Sequence, residues 1–198
     1  MHVGMATIFQ NPGRAAADYQ VYRNELRLAD LVEALGFESI WAVEHHFGDY
    51  TMCPDVIQFL TYMAGRTHHA KLGSMVVVLP WHDPIRVAEE VSMLDNLSGG
   101  RMILGIGRGL ARVEYEGFRL DMSESRTRFI ESAECLLAGL EQSRYQDARH
   151  VSRCARNQNH SLPPSPIVLE DHAKRSSFAR PAKSSTRGFA ASDRRSHR

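Results

Sequence analysis

The sequence predicts an α/β protein: residues 1–142 form the first four strand–helix units of an incomplete (β/α)8 TIM barrel, and residues 143–198 form a disordered, low-complexity basic tail. Four apolar runs begin near Val3, Ser39, Lys71 and Met102, at intervals of 36, 32 and 31 residues, and a helical segment follows each. Runs as continuous as Met75-Val76-Val77-Val78-Leu79 and Met102-Ile103-Leu104-Gly105-Ile106 suit parallel strands covered on both faces. At Gln142 the charge inverts: 12 Lys+Arg stand against 19 Asp+Glu before it and 12 against 4 after it, within a net charge of +1. A closed eight-unit barrel takes roughly 250 residues, more than the 198 present.

The first run leads into a helix over about 18–35. It presents Leu28, Leu31, Val32 and Leu35 on one face and stops at Gly36, because glycine accepts the left-handed conformation that ends helices. The second run passes through Trp41-Ala42-Val43-Glu44-His45-His46-Phe47, and a helix over about 55–66 follows Pro54-Asp55. After the third run comes a helix with Asp83 as N-cap and Pro84 at its first position. Its stripe is Val87, Val91 and Leu94, and it ends at Ser98-Gly99-Gly100. The fourth run precedes a helix that starts near Ser123-Glu124 and repeats Phe129, Ala133, Leu136 and Leu140.

From Ser143 the pattern stops. Ten Arg, ten Ser and four Pro fall in 56 residues, and Ile167-Val168-Leu169 is the one short apolar run. So little apolar surface does not offset chain entropy, hence the expected disorder. The abrupt change in charge, periodicity and complexity also matches a shifted reading frame. With Phe178, Phe189 and Tyr145 as its stacking groups, the tail reads as a solvated segment and not as a nucleic-acid binder. No apolar run of about 18 residues could cross a membrane, and Met1-His2-Val3-Gly4-Met5 lacks the pattern of a secretion signal. A cytoplasmic protein is expected. Cys53, Cys135 and Cys154 are widely spaced and form no C-x-x-C pair, which argues against structural zinc and disulfides.

Chemistry concentrates at two strand ends. Glu44, His45 and His46 lie where the second strand enters its loop, the end at which barrel active sites are built. Neighbouring strand residues face opposite ways, so one histidine points to the pocket and the other packs; His45 is chosen as the functional one, with Glu44 beside it. The alternative is a hydrogen-bonded pair without chemistry. Adjacent histidines do not match metal-ligand spacings, and no metal is expected. The second group is Gly105-Ile106-Gly107-Arg108-Gly109-Leu110, where glycines permit close backbone approach and the Arg108 fork suits a phosphate; a tight loop with a solvated arginine explains it equally well. As a dinucleotide fingerprint the run fails, with Leu110 in place of the third glycine. Met75 and Val76 read as core by default, and Trp81 and His82 as loop residues.

Taken in order, these segments resemble the bacterial luciferase-like family of flavin-dependent monooxygenases. The carrying residues run from Glu33-Ala34-Leu35-Gly36-Phe37-Glu38-Ser39-Ile40-Trp41 into Glu44-His45-His46-Phe47, then Ala64-Gly65-Arg66-Thr67 and Leu72-Gly73-Ser74-Met75. They continue with Leu94-Asp95-Asn96-Leu97-Ser98-Gly99-Gly100-Arg101, Gly107-Arg108-Gly109-Leu110 and Phe118-Arg119-Leu120-Asp121-Met122-Ser123-Glu124-Ser125-Arg126. The resemblance implies oxidation of a small organic substrate such as an aldehyde by O2 and reduced FMN, with a separate flavin reductase as partner. It makes His45 an acid/base or hydrogen-bonding group near the flavin and puts Met75 and Val76 at a non-proline cis peptide beside the ring. It also brings Gly107 and Arg108 to the cofactor, Arg108 to its phosphate, and implies a homo- or heterodimer through the second and third helices. Phe47 and Trp41 join Met75 and Val76 in a dry barrel mouth. The family's second four units, which complete the phosphate cradle, find no match after Gln142, so this chain alone is expected to bind FMN poorly. Two other functions compete: a non-catalytic remnant that pairs with an intact homologue, and a hydrolase with His45 as base and Glu44 as its orienter.

Overall fold

The computed structural model describes residues 1–141, within the first of two units, Met1–Leu162 and Pro163–Arg198. The tail expected to be disordered lies outside the described residues. Four strands form one parallel sheet in chain order: β1 (Gly4–Thr7), β2 (Ser39–Ala42), β3 (Lys71–Ser74) and β5 (Met102–Ile103). The third and fourth runs each break and resume as β4 (Val77–Val78) and β6 (Ile106–Gly107), which pair with one another in parallel.

Register decides which side chains meet. Met5, Ile40, Leu72 and Met102 form one cross-sheet row, with Ile40 and Leu72 at 0% exposure beneath the helices. The next row, Ala6, Trp41, Gly73 and Ile103, points the other way, and its two ends are exposed. The expected cover on both faces is thus met on one face among the described residues. Trp41 lies flat over the sheet: a Cβ on Gly73 would come 2.3 Å from its ring, and one on Gly4 2.5 Å from its Nε1. It therefore sits on the sheet's open face and not at the mouth.

The helices pack on the covered face. Helix α3 (Pro84–Ser98) follows its punctuation: Asp83 accepts hydrogen bonds from the Ile85 and Arg86 amides, Gly99 takes a φ of 70°, and Val87, Val91 and Leu94 are buried. Helix α2 (Val56–Ala64) is capped by Asp55. The last long helix, α5 (Ser125–Glu141), turns Leu136 fully inward, while Leu140 at its end is exposed.

Helix α1 (Asp18–Ala29) corrects the expected span and face. Regular α-helix ends at Ala29, and looser turns continue to Gly36, whose φ is 77°. The buried residues are Val21, Ala29 and Val32, whereas Leu28, Leu31 and Leu35 are 52%, 47% and 65% exposed. A leucine stripe shows that a helix has an apolar face, but the neighbouring elements decide whether it is covered. A six-residue helix, α4 (Arg112–Gly117), was not foreseen because it is too short to show periodicity.

Arg101 ties the strand starts to the helix ends. Its guanidinium is buried and donates to the Thr67 hydroxyl at 2.8 Å and to the carbonyls of Ala64, Thr67, Ala70 and Ser98. Five donors satisfied in this way make a buried cation tolerable without a carboxylate.

Candidate active site

β2 ends at Ala42, and the next five residues turn across the C-terminal end of the sheet, with Phe47 at φ 57°. A left-handed phenylalanine needs support, and here its ring packs against Phe118 with centroids 5.0 Å apart and over Gly117. The turn displays the two histidines differently. His46 is nearly enclosed, with its Nε2 2.9 Å from Glu44 Oε1 and its ring edge-on to Trp81 and Phe118. His45 is 32% exposed and lines a cavity of about 240 Å3 with Arg14, Tyr22, Phe47 and Thr51; His46 also lines it.

Two buried carboxylates organise this turn. Glu44, whose side chain is 1% exposed, takes His46 Nε2 and, at 2.7 Å, His82 Nε2 on one oxygen, while its other oxygen accepts the Val78 amide at 2.9 Å. Burial pushes its carboxyl up, but the hydrogen bonds from His46 and His82, the His82 charge and the Val78 amide outweigh burial and hold it below the usual carboxylate value. His82 is moved the opposite way: burial lowers it, and its hydrogen bond and charge contact with Glu44, helped by Asp55 and Glu90, raise it overall. The second carboxylate is Glu114 of α4, which sequence reasoning missed. It is 2% exposed, and one of its oxygens lies 2.9 Å from His45 Nδ1 and 2.9 Å from the His46 amide. No linear spacing connects residues 45 and 114; the folding of α4 over the β2 loop brings them together.

The other named residues gather at the same end of the sheet. The Met75–Val76 peptide is cis and follows β3 directly. Met75 is 45% exposed, which corrects its default reading as a core residue, and Val76 is partly buried. The glycines beside it are dictated by closeness: a Cβ on Gly105 would stand 2.3 Å from the Ser74 carbonyl oxygen, and one on Gly107 2.4 Å from Val76 Cγ2. Gly107 and Gly105 therefore let the fourth strand lie against the Met75–Val76 segment. Arg108 is exposed, with Nη1 3.0 Å from the Ser125 hydroxyl. The buried thiol of Cys53 is pushed up to about 12, by burial first and then by Asp55, which removes it as a nucleophile.

The luciferase-like monooxygenase family profile matches residues 1–169. The chain is 34% identical over 107 residues to the alkanal monooxygenase alpha chain of Photorhabdus laumondii, covering 54% of this chain and 30% of that one. Among solved structures, the monooxygenase RslO1 of Streptomyces bottropensis superposes with a TM-score of 0.63 at 36% identity, over 68% of this chain and 41% of that one. The oxygenating constituent of 3,6-diketocamphane monooxygenase of Pseudomonas putida, solved in complex with FMN, shares the fold with a TM-score of 0.62 at 22% identity, over 69% of this chain and 38% of that one. The chain thus spans 30% to 41% of the length of these relatives. On the match of the family profile over residues 1–169, the chain belongs to the luciferase-like monooxygenase family.

Proposed function

We propose that this chain forms part of an FMN-dependent monooxygenase that oxidises a small organic substrate, such as an aldehyde, with O2 and reduced flavin supplied by a separate reductase in the cytoplasm. The observation that carries this reading is that His45, the exposed Met75 and Arg108 each follow the C-terminal end of a parallel strand, β2, β3 and β6 in turn. The residues present fit FMN. Met75 offers apolar surface for a flat ring, and the exposed Arg108 fork suits a phosphate. When bound, the reduced flavin supplies the electrons that activate oxygen. His45 accepts or returns one proton at the cavity, and Glu44 holds His46 and His82 so that the turn keeps its shape. Phe47 and Met75 limit water at that end.

Among the described residues the sheet is covered on one face, and the chain alone is expected to bind FMN more weakly than micromolar. Fluorescence titration of the 198-residue chain with FMN checks this, and micromolar or tighter binding refutes it; Arg108→Ala weakens whatever binding remains by about tenfold, the order of one charge-assisted hydrogen bond. A second reading is favoured by exposed apolar residues: Leu28 on α1, Leu31 and Leu35 in the turns after it, and Ile130 and Leu137 on α5. In it the chain has no activity of its own and pairs with an intact homologue. Aldehyde-dependent turnover by the chain with a reductase supports the enzyme, whereas no turnover and a stable heterodimer support the remnant.

A further inference from the structure

Helix α4 turns one carboxylate inward, and that carboxylate meets the histidine on which the proposed chemistry depends. An ionised carboxylate can only accept, so a ring nitrogen that hydrogen-bonds to it carries the proton. Glu114 lies 2.9 Å from His45 Nδ1, and the same oxygen accepts the His46 amide, a donor whose proton position is not in question. We infer that Glu114 is a positioning residue: it holds His45 as the Nδ1–H tautomer and leaves the Nε2 lone pair as the proton acceptor at the cavity. Free imidazole side chains favour the other tautomer, so the partner on the far nitrogen sets which nitrogen can act as base.

The rest of α4 serves the same turn. A Cβ on Gly117 would fall 2.3 Å from the Phe47 ring, and Phe118 meets His46 at 4.7 Å and Phe47 at 5.0 Å between centroids. Residues 45–47 are therefore gripped from one side by Glu114, Gly117 and Phe118, and from the other by Glu44 through His46. Ordering a ring through its second nitrogen is worth roughly 10- to 100-fold where it has been measured at metal-bound histidines. A similar loss is expected here in any step that uses His45.

The role of His45 as acid/base rests on the function proposed above, but its tautomer can be read without flavin or turnover. Long-range 1H–15N correlation at pH 8 on the full chain labelled at histidine, with His45→Asn to assign the signal, is expected to show His45 protonated on Nδ1. Glu114→Gln keeps a carbonyl acceptor and retains that pattern, while Glu114→Leu moves the proton to Nε2. The assignment is overturned if wild-type His45 carries its proton on Nε2 or on both nitrogens, or if a folded Glu114→Leu variant keeps it on Nδ1. The wild-type spectrum decides even where the leucine variant does not fold. Loss of aldehyde oxidation in a chain with the expected spectrum would count against the reaction and leave the positioning standing.

Discussion

At position 105 a hydrogen is all that fits, since the next strand's carbonyl oxygen is 2.3 Å from where a Cβ would sit. Backbone cannot rotate away as a side chain can, so Gly105→Ala should lower stability by about 1–3 kcal/mol, the usual cost of overpacking. Urea denaturation measures it, and an unchanged midpoint would show that β3 and the fourth strand are less tightly joined than described. The glycine was legible in the sequence but its reason was not: Gly105 accommodates a neighbouring strand, where the sequence suggested a ligand. Glu44 and His82 make the second prediction at this scale. The carboxyl is held below its ordinary 4.5, so its stabilisation is present above pH 4.5 and is lost as pH falls through the lowered value. His82 is raised above 6.5, so its stabilisation is full below pH 6.5 and fades as pH rises through the raised value. The pair therefore contributes most between pH 4.5 and 6.5. Thermal melts across pH should show His82→Gln flattening the alkaline limb, and an unaltered limb would remove the pair from the pH response.

Helices show which local signals suffice. Asp83, Pro84 and Gly99 bracket α3 by chemistry that acts within one turn, so its limits could be read from the sequence alone. Asp83→Ala removes the acceptor for two amides and should cost about 1 kcal/mol, read as a lower thermal midpoint with the fold intact. Helix α1 shows the opposite case. Its leucine stripe predicted an inward face, yet Val21 and Ala29, with Val32 just beyond its end, are the buried residues, because packing against β1 selects a face that periodicity alone does not fix. The same holds for α4, which has no stripe to detect and whose Glu114 matters through a partner 69 residues away.

Among the described residues, the sheet is buried on one face and ends in β1 and β5, and exposed apolar residues stand on and just after α1 and on α5. Unpaired strand edges beside apolar patches favour association. The chain is accordingly expected to self-associate or to bind a partner that covers these faces. Leu31→Lys together with Leu137→Lys should lower the sedimentation-average mass toward the 22.3 kDa of one chain, and a wild-type monomer would show that the faces are covered within the chain. Four strand–helix units, their order, the caps of α3 and the two strand ends that carry His45 and Arg108 were set by the sequence alone, because apolar period and capping are properties of short stretches. The tertiary structure alone decided which face of α1 is buried, why Gly105 is a glycine and that Glu114 stands behind His45. Each of these depends on contacts between residues distant in the chain, which no local pattern records.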